Sequence, residues 1–339
     1  MTTIKDVAEK AGVSVATVSR VLNNKPFVSD KMREHVMGVI AEVNYQPDAV
    51  ARGLRTKSTR IISLVIPDIN NPYFPEVARG VESVADRYEY IVVLCNTDRK
   101  QKREINFYEK LMMQRVEGII VNPSNSSEEE IEILSRLDMP VVLISSQSEF
   151  ENFDIVMVDN VEGAKLAVNH LIEYGHRKIG LLGGSRDVSS SQKRYDGFIE
   201  ALQTAGIEIK QNFITEDSLD NEGGYRCAKQ LLAQKEKPTA MFATNDTMAI
   251  GALSAIHEAG LRIPDDISLI GFDDLSFSKM TYPKLTTIRQ PKFKTGEVAA
   301  EQLFKHLISP NQYIPPQKII LDHELIIRET TSPFLNFRF

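Results

Sequence analysis

The chain has 339 residues, 42% hydrophobic and 25% charged, with a formal net charge of −6. That length is too great for one compact domain, and the apolar share supplies ample core, which excludes a disordered chain. Cys95 and Cys227 lie far apart with no CxxC or zinc-ligand spacing, and no apolar run nears the ~18 residues of a membrane span. A disulfide scaffold, a metal module and a transmembrane protein are therefore set aside.

The N-terminus lacks the basic-then-apolar pattern of a secretion signal, so a reducing cytoplasm is the expected compartment. The charge is unevenly spread. Residues 1–60 hold 10 Lys and Arg against 6 Asp and Glu, while the remainder holds 30 against 40. A basic N-terminal piece on an acidic body confines phosphate binding to the first 60 residues.

Residues 2–23 read as two short helices broken at Ala11-Gly12. Thr3 caps the first, with Asp6 placed for a capping box, and Ile4, Val7, Ala8 and Ala11 form one helical face. Gly12 supplies a left-handed stop, and Ser14 caps a second helix buried through Val18, Val21 and Leu22. Val15, Ala16, Thr17, Ser19 and Arg20 are left with no core to fill. Such a pair occurs in many all-α proteins; placed first in the chain and in its basic part, it reads as a helix-turn-helix whose second helix enters a DNA major groove.

A third helix is predicted over 30–43, capped by Ser29 and apolar through Val36, Val39, Ile40 and Val43. Residues 44–55 then carry a helical stretch too short to stand alone in water. It is either a linker or a hinge that folds on DNA, with Leu54 as a minor-groove wedge among basic neighbours.

From residue 60 the texture changes. Short apolar strands alternate with helices: strands near 61–67, 90–95, 118–122 and 141–145, then a restart after 155–159 with strands near 178–183, 213–215, 240–243 and 268–271. Helices are expected between them, including 75–88, 163–174, 194–205 and 246–259. A last helix at 295–308 leads to strand signal at 318–321 and 323–327. This is an α/β chain of two doubly wound parallel sheets in tandem, with ligands expected beyond the carboxyl ends of the strands in an interlobe cleft.

With TIKDVAEKAGVSVATVSRVLN at the N-terminus, NYQPDAVARGL at 44–54, DINNPYFPEVARGVE at 68–82, VDN at 158–160, HLIEYGHRKIGLLGG at 170–184, NDTMAIGAL at 245–253, IPDDISLIGFDD at 263–274 and LTTIRQP at 285–291, the chain closely resembles the LacI/GalR family of transcriptional regulators. The resemblance spans essentially all residues. It implies a homodimer on double-stranded operator DNA and no cofactor. It also implies a headpiece (1–46), a hinge helix and linker (47–59), a periplasmic-binding-protein-like core (60–332) and a tail (333–339). The core divides into an N-lobe, about 60–159 and 291–321, and a C-lobe, about 160–290 and 322–332.

The resemblance assigns DNA contacts to Val15, Ala16, Thr17 and Arg20 in the recognition helix and to Ala51, Leu54 and Arg55 in the hinge. Val15 and Ala16 are apolar, suited to thymine methyl groups rather than to bidentate hydrogen bonds. A small sugar-like effector is expected in the cleft. Sugars need planar polar groups for hydroxyls and aromatic rings for C–H faces, and strand ends supply Asn71, Tyr73, Phe74, Asn122, Arg194, Asn245, Asp273 and Gln290. Sugar-binding relatives commonly carry an Asp where Ser145 stands; Ser190 and its neighbours add neutral donors in a loop at 183–192.

Two alternatives stay open. A catabolite-control-type regulator would answer to a phosphorylated carrier protein, although Glu301 stands where an Arg is expected and would repel a phosphoserine. A sugar-binding protein without DNA function would have no use for 1–56. No GxxxxGK[ST], GxSxG or HExxH occurs, so an enzyme and a metal site are not expected.

Overall fold

A computed structural model describes residues 2–22, 25–45, 58–123, 127–144 and 152–334. They fall into two compact units, Met1–Thr59 and Arg60–Phe339. Ala51, Leu54, Arg55 and Ser145 lie outside the described residues.

In the first unit α1 (Ile4–Lys10), α2 (Val15–Leu22) and α3 (Asp30–Glu42) enclose Val7, Ala8, Val18, Val21, Val36 and Val39. The capping box forms as the sequence requires. Thr3 Oγ1 accepts from the Asp6 amide, and the Thr3 amide donates to Asp6 Oδ2 at 2.7 Å. Gly12 sits at φ +64, the left-handed geometry a tight break between helices needs. Ser14 Oγ accepts from the Thr17 amide at 3.1 Å, and Ser29 caps α3. Arg33 on α3 donates to the carbonyls of Val21 and Lys25, both at 3.3 Å, and so fastens the far end of α2.

The second unit contains two six-stranded sheets. The first comprises β1 (Ile61–Ile66), β2 (Ile91–Asn96), β3 (Gly118–Val121), β4 (Val141–Ile144), β5 (Asp154–Val158) and β11 (Lys318–Leu321). They are all parallel, in the order β11-β5-β4-β3-β1-β2. The second comprises β6 (Ile179–Gly184), β7 (Ile214–Asp217), β8 (Ala240–Ala243), β9 (Ser268–Asp273), β10 (Thr286–Arg289) and β12 (Glu324–Ile326). Their order is β12-β10-β9-β8-β6-β7, with β12 antiparallel at the edge. Inner strands such as β3 and β9 are buried along their whole length, which is why they read as unbroken apolar runs.

Helices cover both faces of each sheet. On the first, α4 (Tyr73–Arg87) and α11 (Lys292–Ile308) bury Val77, Val81 and Leu303 on one side. On the other, α5 (Gln101–Met113) buries Tyr108 and Leu111 alongside α6 (Glu128–Ser135). On the second sheet α7 (Asn160–Glu173) and α8 (Ser189–Thr204) face α9 (Asn221–Leu232) and α10 (Asp246–Glu258) across the strands. Helices α4 and α11 touch backbone to backbone. A Cβ on Gly296 would stand 1.9 Å from the Val77 carbonyl oxygen, and one on Gly80 would stand 2.1 Å from that of Phe293.

The chain passes between the lobes three times, after β5, after β10 and after β11. Two local expectations are corrected. The loop expected at 183–192 ends early: α8 begins at Ser189, so Ser189, Ser190 and Ser191 form its first turn and Arg194 lies within the helix. Serine weakens a helix interior but is well tolerated at the start, where local hydrogen bonds to the backbone cost nothing. A strand at Thr286–Arg289, between Pro283 and Pro291, was not anticipated from its threonines. Inside the sheet Thr287 Oγ1 donates to Asp246 Oδ1 at 2.6 Å, and the Thr286 amide donates to Thr330 Oγ1 at 2.8 Å.

Candidate functional site

Helix α2 divides its residues cleanly. Val18 and Val21 are buried, while Val15, Ala16 and Arg20 are exposed. Thr17 is half-buried, its hydroxyl 2.9 Å from that of Ser14. A helix with apolar and cationic side chains free on one face, held by a turn and a third helix, has the shape of a major-groove reader.

In the second unit the strand ends converge on a cavity of about 100 Å³ that opens into a wider chamber of about 270 Å³. Asn71, Tyr73, Phe74, Asn122, Ser190, Arg194, Asn245, Asp273 and Gln290 all line the inner cavity. From the first lobe Asn71 Oδ1 accepts from the Tyr73 amide at 3.0 Å, fixing the start of α4. Tyr73 and Phe74 pack edge to face with centroids 5.1 Å apart. Burial, with the Asp273 carboxylate nearby, pushes the Tyr73 phenol up to about 12, so it stays a neutral donor. Asn122 Nδ2 donates to the Ile144 carbonyl at 2.7 Å.

The second lobe supplies a charged centre. Arg194 stacks on Phe272, 3.8 Å from the ring centroid. Its Nε donates to Asn160 Oδ1 at 2.8 Å, and its Nη1 lies 3.5 Å from Asp273 Oδ1. Asp273 ends β9 at φ +121 and accepts from Gln290 Nε2 at 2.6 Å. Lys292, at the start of α11, donates to the carbonyls of Asp273 and Asp274 at 2.6 and 2.8 Å. Asp273 thus combines a strained non-glycine backbone with three partners that hold it in place. Burial pushes the Asp273 carboxyl upward and the Arg194 guanidinium downward, each partly offset by the other.

Asp246 stands behind this centre. It accepts from Ser278 Oγ at 2.6 Å and from the Leu275 amide at 2.8 Å, which seats the loop after Asp273. Burial and the neighbouring Asp273 push it up to about 7. Asn245 has a structural duty as well: it caps α10 by accepting from the Met248 amide at 2.7 Å, while its Nδ2 donates to the Leu219 carbonyl at 3.2 Å. Only part of its polar surface remains for a ligand.

Sequence reasoning missed Arg99, Asn160 and Leu219, which also line the cavity. Arg99 and Asn160 follow β2 and β5, so the strand-end rule that found Asn71 and Asn122 would have found them too. Among the described residues no group of His, Cys, Asp and Glu is arranged to hold a metal ion, and no helix is long and apolar enough to cross a membrane.

Comparison with known proteins gives three kinds of match. A model of bacterial regulatory proteins of the lacI family fits residues 3–48, and one of the periplasmic binding protein-like domain fits residues 168–331. The HTH-type transcriptional repressor PurR of Haemophilus influenzae is 37% identical over 99% of this chain and 100% of its own length. The ribose operon repressor of the same species is 38% identical over 97% of this chain and 98% of its own. Among solved structures the lac repressor dimer bound to operator and the anti-inducer ONPF superposes with a TM-score of 0.88 at 31% identity, covering 98% of this chain and 99% of that one.

Proposed function

The chain belongs to the lacI family of bacterial regulatory proteins, and on that premise we propose how its parts divide the work of a DNA-binding, sugar-responsive transcriptional repressor. Residues 1–46 are the reading head, with Val15, Ala16, Thr17 and Arg20 on the operator. Residues 47–59 are a hinge in which Leu54 enters the minor groove flanked by Ala51 and Arg55. Residues 60–332 dimerise and sense, and 333–339 form a tail. A homodimer places two heads on inverted half-sites.

The observation that carries this reading is the pairing in one chain of an exposed α2 face with a cavity whose walls come from both lobes. The effector is a sugar or sugar derivative. Tyr73 and Phe74 offer ring surfaces, and Asn71, Asn122, Ser190, Arg194, Asn245, Asp273 and Gln290 offer donors and acceptors for hydroxyls; Ser145, which the family resemblance adds to the set, lies outside the described residues. Asp273 is tied to Arg194 and Gln290, an arrangement that suits holding a hydroxyl rather than transferring a proton. The protein, in this reading, is a binder in the cytoplasm and not an enzyme. Ligand closes the cleft, shifts the first lobes of the dimer and loosens hinge pairing, so that the operator is released. The shift is limited by the ligand's differential affinity for the two states.

The catabolite-control reading is disfavoured by one contact. Glu301 on α11 pairs with Arg87 at 3.3 Å, so a carboxylate occupies the face that would meet a phosphoserine. Removing residues 1–59 tests the division of labour. Operator binding is expected to vanish while sugar binding persists; DNA binding by the truncated chain would overturn it.

A further inference from the structure

The inner cavity and the wider chamber meet at Arg99, Val188 and Leu219, which line both. Arg99 comes from the first lobe, in the turn between β2 and α5, with φ +56. Its guanidinium has no hydrogen-bond or ion-pair partner among the described residues, although burial pushes its ionisation downward. A half-buried cation without a partner is costly unless something supplies an anion.

Across the junction lies the start of α8. Val188 occupies its N-cap and gives no side-chain cap. The first-turn amides of any helix lack intrahelical acceptors and carry the positive end of its dipole. Here that turn is Ser189, Ser190 and Ser191, all lining the cavity. The hydroxyls of Ser189 and Ser191 are buried and make no hydrogen bond, and Ser191 is 3% exposed. Unbonded donors from two elements, Arg99 of one lobe and the first turn of α8 of the other, thus line the same cavity.

The acidic residues of the chamber are otherwise engaged. Asp98 pairs with Arg103, and Asp217 with Arg226. Asp220 caps α9 by accepting from the Gly223 amide at 2.8 Å, and Asp68 accepts from the Asn70 amide at 3.0 Å. Asp68 and Asp220 lie near enough to Arg99 to favour its charge, but neither bonds to it.

We propose that the effector carries an oxyanion, a phosphate ester or a carboxylate, held between Arg99 of one lobe and the first turn of α8 of the other. The inference rests on the cleft being the effector site and adds the chemical class of its occupant. It also gives the cleft a way to close: a single anion bridges the lobes at their mouth, while the ring occupies the inner cavity. Such charge-assisted bonds are shorter and stronger than those to a hydroxyl.

The full chain is titrated calorimetrically with a panel of pentoses and hexoses, their phosphate esters and their aldonic acids, with inorganic phosphate alone as a reference. The tightest member is expected to be anionic and at least about tenfold tighter than its neutral parent, a ratio that falls to near one in Arg99→Gln. Ser191→Ala is expected to lower it about threefold. The ester and acid arms identify which oxyanion is used. Melting each variant without ligand separates lost folding from a lost contact. If a neutral sugar binds tightest, its binding is abolished by Asp273→Asn and Arg99→Gln leaves the anion ratio as it was, the oxyanion proposal falls and the effector site stands. If no panel member binds, the effector site itself falls, and this proposal with it.

Discussion

The reading head and the sensing cleft expose their functional groups in opposite ways. In the head the residues proposed to meet DNA are what the core did not use: Val18 and Val21 face in, so Val15, Ala16 and Arg20 face out. In the cleft the residues proposed to hold the effector are themselves core. Arg194, Asp273 and Gln290 are each at least nine-tenths buried, and Asp273 accepts from Gln290 and pairs with Arg194. The head can therefore change its specificity with little change in stability, whereas any change at the centre of the cleft alters folding and binding together.

The largest effect should come from breaking the cleft's charged centre. Asp273→Ala leaves Arg194 buried without its carboxylate and is expected to cost about 3–5 kcal/mol in chemical denaturation, besides abolishing the sugar response. A cost below about 1 kcal/mol would mean that the cleft behaves like the head. Stability should also depend on pH through Asp246. Its folded-state carboxyl is raised to about 7, well above that of an unfolded aspartate, so the native state holds the extra proton. The Asp246 contribution is therefore fully present below the pKa of an unfolded aspartate, is lost as pH rises through about 7 and is absent above it. Asp246→Asn should flatten that slope whatever its effect on the absolute level.

In the head, Val18→Ala removes two buried methyl groups and should lower headpiece stability by about 1–2 kcal/mol, read by hydrogen exchange within residues 2–45. Thr3→Ala removes a cap and should cost about 1 kcal/mol in the same measurement. Arg20→Ala is the sharpest contrast. Headpiece stability should stay within about 0.5 kcal/mol, while operator affinity falls about tenfold and its salt dependence weakens. If stability and affinity fell together, the division between the two regions would be wrong.

The same contrast explains what was legible in the sequence. The head was readable to the level of its caps, because one helical period sorts Val18 from Val15 and each cap is a local hydrogen bond. The sheets were readable because strands buried on both faces are short apolar runs. The strand-end rule placed Asn71, Asn122, Asp273 and Gln290 on one cavity because register sets strand ends level. Where function depends on polar groups deep in the fold, local pattern loses its grip. Thr286 and Thr287 are strand residues satisfied by Thr330 and Asp246, partners that no short window contains. Ser189–Ser191 resembled a loop because their helix begins there without a side-chain cap. Arg99 was hidden in a polar run whose lysines and arginines mostly face water.

The threefold crossing between lobes has a consequence for how the molecule is made. The head closes its core with residues no later than Tyr45, so it can fold while most of the chain is still on the ribosome. The first lobe cannot. Its sheet takes its last strand from β11 and one of its covering helices from α11, both near the C-terminus. Synthesis therefore delivers a finished reader long before a sensor, and the reader is released without its governor whenever translation stops early.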